Sequence, residues 1–377
     1  MVIWRGKVEN LVEQNLFGGV YKDKKVLVTG HTGFKGSWLC FWLEKMGARV
    51  CGFSTPAPSD PAHIDKLNIE MKSVIGDIRD QSALDKVVND FKPEVVFHMA
   101  AQPLVRLSYK VPDETFETNV IGSLRVYEAC RKSDSVKSII TITTDKVYEN
   151  KEWHWGYREN DRLGGKDPYS ASKAAMEIMT NSYRESYFNT VKFGSEHNVL
   201  MATVRAGNVI GGGDWALDRL IPDIVKASIE GAPVSIRSPH STRPWQHVLE
   251  PLSGYLMIGQ KLIERDKSFS DAYNFGPSIT EDVSVENVLI ELKRHWDKID
   301  YIIERPKEVL HEAGLLKLDC TKAYRNLSWT PVWSVEEALK FTILWYKNYY
   351  EREDVTTERD LLSYVEHAKE KSLVWTR

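Results

Sequence analysis

Residues 141–150 read TITTDKVYEN and put a hydroxyl, a carboxylic acid and an amine at consecutive positions, Thr144, Asp145 and Lys146, where an apolar run turns polar. Further on, DPYSASKAAME places Tyr169 and Lys173 four apart. On a helix those two side chains share a face. A lysine ammonium beside a phenol favours the phenolate. A tyrosine so tuned can take a proton from an alcohol as hydride leaves the same carbon, and Thr144 would hydrogen-bond the same oxygen. YxxxK alone is common and usually marks a solvated helix pair. What gives it weight is a threonine ending a strand upstream and a nucleotide loop before that.

That loop is VLVTGHTGFKGSWL, with Gly30, Gly33 and Gly36 between an apolar strand and a helix. Gly30 permits the tight turn, Gly33 lets backbone approach a pyrophosphate, and Gly36 allows close helix–strand packing. The helix start offers unpaired N–H groups to the anion. Strands are expected at 24–30, 48–54, 93–101 and 138–144, a strand followed by a glycine-rich loop over 199–213, and helices at 36–47, 118–132 and 169–189. Apolar strands alternating with helices mean a doubly wound α/β fold with a parallel sheet covered on both faces, a Rossmann arrangement. Patterning becomes irregular after about residue 210. We therefore expect an N-terminal extension over 1–23, a dinucleotide-binding domain over 24–205 and a smaller C-terminal α/β substrate lobe over 206–377, with some segments returning to the first domain. Consecutive residues on a strand face opposite ways. Asp145 and Lys146 can serve one ligand only if regular strand ends near Thr144 and the chain turns.

The chain has 377 residues, a formal charge of −3 and no basic stripe, which argues against a nucleic-acid binder. No stretch reads as a membrane span or signal peptide. Cys40, Cys51, Cys130 and Cys320 are scattered without a CxxC pair, so reduced thiols in a cytoplasmic protein are expected, with neither a disulfide framework nor a metal site.

Taken together, GxxGxxG, HMAAQ, a strand-end threonine and YxxxK resemble the extended short-chain dehydrogenase/reductase family, over roughly residues 24–348. GHTGFKGSWL, TTDKVYENKEW, GYREND, DPYSASK, GNVIGGGDW and RPWQHVLEPLSGYL resemble its nucleotide-sugar 4,6-dehydratases more closely. The resemblance implies bound NAD, CDP-glucose as the substrate, and a homodimer or homotetramer joined through helices near 101–132 and 169–189. It implies oxidation at C4, loss of the C5 proton and C6 hydroxyl, and return of the stored hydride to C6. Elimination needs an acid and a base beside the hydroxyl. By resemblance Asp145 is the acid at C6. Lys146 is either the C5 base, which requires burial to strip its proton, or a charge that stabilises the enolate; we take the base role.

Cofactor contacts implied are Gly30, Thr32, Gly33, Phe34, Lys35, Gly36, Ser54, Asp77, Ile78, Ala100, Ala101, Gln102, Asn119, Tyr169 and Lys173. No acid ends the second strand to grip a ribose hydroxyl, and no arginine follows closely to hold a 2′-phosphate; NAD is preferred over NADP. For the substrate, Arg219, Arg237 and Arg243 are candidates for the diphosphate, with Asn208 and Asn274 beside the sugar. Trp153, Trp155 and Tyr157 form either a lid or a hydrophobic knot. A 4-epimerase would need no acid/base pair, and a non-catalytic nicotinamide-binding protein would not need Thr144, Tyr169 and Lys173 together.

Overall fold

A computed structural model describes residues 11, 14–236, 238–277, 283–303 and 315–377. Seven strands form one parallel sheet: β1 (Lys25–Thr29), β2 (Arg49–Ser54), β3 (Lys72–Ile75), β4 (Val95–His98), β5 (Ser138–Ile142), β6 (Leu200–Arg205) and β7 (Ala272–Asn274). Their spatial order is β7-β6-β5-β4-β1-β2-β3. Chain order reverses between β1 and β4, where Thr29 pairs with His98, so the crevice opens beyond Gly30 and Ala100. Every residue of β5 and β6 is buried, because helices cover both faces; this is why they read as unbroken apolar runs.

The Phe34–Lys45 helix is buried at every position from Gly36 to Leu43. A helix apolar all round needs cover on both sides. The sheet supplies one. The Thr357–Glu370 helix and the chain end supply the other, with Trp42 edge-on to Tyr364 and to Trp375, each at 5.8 Å. Phe17 stacks on Trp375 at 5.2 Å, and the Gly18 N–H donates to the Arg377 carbonyl at 2.9 Å, so residues before β1 close over the C-terminus.

The Pro168–Ser186 helix starts where it must to present Tyr169. Asp167 caps it reciprocally with Ser170, and Pro168 takes the first position. The helix expected over 118–132 has two parts, a π-helical Glu117–Gly122 and a regular Ser123–Arg131. Among the described residues no helix is long and apolar enough to cross a membrane. All four cysteines are free thiols, and Cys40, Cys51 and Cys130 are buried.

Candidate active site

Strand β5 stops at Ile142, and Asp145–Val147 form one 3-10 turn capped by Thr144. Four consecutive side chains then part company. Thr143 Oγ1 donates to Glu177 Oε1 at 2.5 Å. Thr144 Oγ1 donates to Asp145 Oδ1 at 3.0 Å. Asp145 is 2 % exposed and its carboxylate presses on Gly207. Lys146 is exposed. Regular strand ends before the pair, as the alternation argument requires. The burial expected to strip Lys146 of its proton is absent, because the turn that takes Asp145 inward sends the next residue out.

Tyr169 and Lys173 are both buried. Burial pushes the Tyr169 phenol up to about 12 and Asp145 adds to this, while a hydrogen bond with Thr144 and the Arg219 charge work downward. Lys173 is brought down to about 7, first by burial and then by the neighbouring Lys35, with Glu177 opposing. Its Nζ donates to the Ile142 carbonyl at 3.2 Å and lies 3.5 Å from Met176 Sδ. The side chain is thereby anchored to the end of β5, in surroundings that disfavour its charge.

Beneath the pair lies a buried network that the sequence reading missed. Arg205 Nε and Nη2 donate to the two Glu177 oxygens at 2.8 and 2.9 Å, and Thr203 Oγ1 adds a bond at 2.9 Å. Arg205 Nη1 donates to the Tyr148 hydroxyl at 2.7 Å, which donates to Asn274 Oδ1 at 2.8 Å. A buried ion pair this well hydrogen-bonded fixes geometry; it locks the ends of β5, β6 and β7 to the tyrosine's helix. The one sequence signal was Glu177 at i+4 from Lys173. Asn274 is fully buried, and its Nδ2 donates to the carbonyls of Tyr157 and Asp319 at 2.8 and 3.2 Å. Its amide is engaged by protein at both ends, so it braces the site where a sugar contact was expected.

The glycine loop has the shape a dinucleotide needs. Gly30 has φ +78°, and a Cβ there would lie 2.7 Å from the Ala100 nitrogen. A Cβ on Gly36 would collide with the Gly30 carbonyl. Gly33 caps the Phe34–Lys45 helix without a side-chain bond, leaving the first-turn N–H groups for an anion. Thr32 Oγ1 meets Ser54 Oγ at 2.9 Å, joining the loop to the end of β2. Asp77 is held by Arg79 at 2.7 Å, and Ile78 is buried under Gly122. Beyond Ala100 and Ala101, the Gln102 N–H donates to Asn119 Oδ1 at 2.8 Å, and Asn119 Nδ2 donates to Ser172 Oγ at 2.9 Å. Gln102 and Asn119 thereby tie the loop after β4 to the tyrosine's helix. Lys35 enters the same crevice; burial and then Arg219 lower it to about 8, against Asp145 and Asp214.

Of the substrate candidates, Arg219 is at the centre, with Nη1 on Asp214 Oδ2 at 2.8 Å. Asn208 takes a left-handed φ of +44°, and its carbonyl accepts the Gln246 N–H at 3.2 Å. Arg243 lies on a two-residue strand opposite Val283, with Nη1 donating to the Thr242 carbonyl at 2.9 Å. Arg237 lies outside the described residues. In the aromatic loop Tyr157 is buried, Trp153 stacks on it at 5.3 Å, and Trp155 is 72 % exposed.

Residues 27–342 match the family model described as GDP-mannose 4,6 dehydratase. The chain belongs to that family. Among curated relatives of this dehydratase, it is 46 % identical to the CDP-glucose 4,6-dehydratase of Salmonella typhimurium over 360 residues, covering 94 % of this chain and 99 % of that one. The dTDP-glucose 4,6-dehydratase of Xanthomonas campestris is 23 % identical, covering 85 % and 92 %. A solved structure of Thermus thermophilus UDP-glucose 4-epimerase in complex with NAD superposes with a TM-score of 0.71 at 24 % identity, covering 86 % and 99 %, and shares the fold. Among the described residues no group of three His, Cys, Asp or Glu side chains could hold a metal.

Proposed function

We propose that this chain is a CDP-glucose 4,6-dehydratase, converting CDP-glucose to CDP-4-dehydro-6-deoxyglucose and water. The observation that carries the reading is the buried Asp145, bonded to Thr144 at 3.0 Å and facing Tyr169, an acid added to the threonine–tyrosine–lysine set. An epimerase has no use for it. The close relationship to the Salmonella enzyme supports the nucleotide and the sugar.

The cofactor is NAD, held by the Gly30–Gly36 loop, the first turn of the Phe34–Lys45 helix and the Thr32–Ser54 pair at the end of β2. The chemistry it supplies when bound is reversible storage of a hydride, taken from C4 and given back at C6. Tyr169 takes the C4 hydroxyl proton, with Thr144 steadying the same oxygen. Asp145 protonates the departing C6 hydroxyl. Lys146, at the exposed lip of the turn, faces the enolate either as base or as charge. Arg219, Arg243 and Asn208 hold the diphosphate and sugar. Exposed Leu107, Phe116 and Ile178 on neighbouring helices support a homodimer through that face, and the free thiols suit a cytoplasmic enzyme.

Purified protein incubated with CDP-glucose, and separately with dTDP-glucose and GDP-mannose, tests the reading. A 4-keto sugar seen by its absorbance in alkali, with loss of water by mass spectrometry from CDP-glucose alone, is expected. Interconversion of CDP-glucose with CDP-galactose and no dehydration would make the chain an epimerase.

A further inference from the structure

Gln246 belongs to a two-residue strand, Gln246–His247, that pairs in parallel with Val209–Ile210. It is 3 % exposed, and its amide works at one end. Nε2 donates to the Gly207 carbonyl and to the Phe275 carbonyl, each at 3.1 Å. Two carbonyls converging on one atom assign it as the amide nitrogen. Among the described residues Oε1 is buried and meets no donor. An apolar side chain would spare the fold that idle acceptor, so the two donated bonds are what a glutamine supplies here. Its main chain adds a third hold, the Gln246 N–H on the Asn208 carbonyl at 3.2 Å.

What Gln246 holds lies against the site. Gly207 is buried two residues past β6, and Phe275 directly follows β7. The Phe275 N–H donates to the Arg205 carbonyl at 2.8 Å, and Gln246 clamps the two chains just beyond that bond. On the other side of Gly207 stands Asp145. A Cβ on Gly207 would overlap the carboxylate, so the glycine's own backbone is the surface on which the carboxylate rests. The Asp145 N–H donates to the Ala206 carbonyl at 3.3 Å, which ties the acid's main chain to the same segment.

Resting on the dehydratase reading, we propose that Gln246 is a positioning residue for the elimination step: by fixing Gly207 it fixes the place from which the Asp145 carboxyl meets the C6 hydroxyl. In that step the C5–H bond breaks and its electron pair becomes the C5–C6 double bond, the proton passing to the base at C5. The C6–O bond breaks, and the Asp145 proton bonds to the departing oxygen to make water. A buried backbone carbonyl keeps a donor, so Gly207 stays where the glutamine reaches it. The bonds that hold Tyr169 and Lys173 go to Ser108 Oγ and to the Ile142 carbonyl instead, so oxidation at C4 has no share in this support.

The test is single-turnover stopped-flow absorbance of the NAD-loaded enzyme with CDP-glucose, which reads oxidation and elimination as separate phases. Gln246→Leu removes both donated bonds. The carboxylate then shifts by less than the about 1 Å that costs 100-fold in rate, so elimination is expected to slow by about 10-fold while oxidation stays within about two-fold. In the Gly207→Ala background the same change acts the other way: with its carbonyl released the alanine can retreat from Asp145, and elimination recovers by about 5-fold. A role confined to stabilising the fold would slow both backgrounds alike. Gln246→Met, also without a donor, gives the same pair of signs and serves should Gln246→Leu fail to fold. An unaltered elimination rate, equal slowing of both phases, or a further loss in the double variant would overturn the proposal. If the unaltered enzyme forms no product from CDP-glucose, the dehydratase reading fails, and crystal structures of the unaltered protein and of Gln246→Leu still decide whether the Asp145 carboxylate moves with Gly207.

Discussion

Gly207→Ala should separate the two halves of the reaction. Gly207 lies two residues past the end of β6 and faces the Asp145 carboxylate; a Cβ there would overlap Oδ2 and Cγ and stand 3.0 Å from Oδ1. The glycine cannot easily retreat, because Gln246 Nε2 donates to its carbonyl at 3.1 Å from the other side. Ordinary carbon contact distances are about 3.5–4 Å, so the carboxylate must move by roughly 1 Å or more. A misplacement of that size costs about 100-fold in rate, or about 2.7 kcal/mol of barrier. The three atoms nearest the new methyl all belong to Asp145, and Thr144 loses at most its bond to that carboxylate, so oxidation at C4 should stay within a few-fold. Elimination should then become limiting, and reduced nicotinamide should accumulate on the enzyme. Stopped-flow absorbance in a single turnover of CDP-glucose measures both phases. Asp145→Asn should stall at the same point, and the double variant should be little worse than either single one. Gly207→Ala that eliminates at the unaltered rate would remove Asp145 from the role of acid at C6. Equal loss of both phases would show that the carboxylate does not act on elimination specifically.

Lys146→Ala should also stall after oxidation; Lys146→Arg, which keeps the charge but cannot serve as a base, retains elimination only if Lys146 acts as a charge, as deuterium exchange at C5 would report. Lys173→Met should abolish turnover yet raise stability at neutral pH. The native lysine titrates near 7 instead of its ordinary 10.5, so the native state binds fewer protons than the unfolded one between those values. The penalty it carries is complete below pH 7 and fades toward pH 10.5, and the variant's gain in thermal melts should shrink over the same window. Glu250 accepts the N–H groups of Val332 and Trp333 at 2.9 and 2.8 Å and the Tyr364 hydroxyl at 2.8 Å. Glu250→Ala leaves buried donors unpaired and should cost about 2–5 kcal/mol in denaturant unfolding; a loss near zero would mean that water replaces the carboxylate.

What the sequence disclosed followed what is local. The glycine loop, the central strands and the strand end near Thr144 all depend on neighbours within one strand–turn–helix unit. Strand β3 gave no signal because none of its four residues is fully buried, and β7 is only three residues long. Glu177 was illegible for a different reason. A lone acid on a helix reads as solvated, and its partner Arg205 is brought under it only by the pairing of β5 with β6. Asn274 shows the converse error. A polar residue ending a strand resembles a ligand, and only the wrap of residues 148–159 around it, with Tyr148 and Tyr157 as partners, decides that its amide faces protein.

Buried Lys173, half-buried Lys35 and Arg219 divide the site's positive charge by their chemistry. Lys35 and Lys173 titrate near 8 and 7, so their charge varies across the working range, whereas Arg219 stays charged throughout. A nucleoside-diphosphate sugar arriving with two negative charges favours protonation of whichever lysine it approaches, so binding itself restores charge to the crevice. Each proton the lysines take up then weakens the field-based reason for their neighbours to hold one. Raising the pH should therefore weaken diphosphate binding over the range set by Lys35 while the Arg219 contribution stays constant. The pH dependence of affinity then reports the lysine against a constant contribution from the arginine.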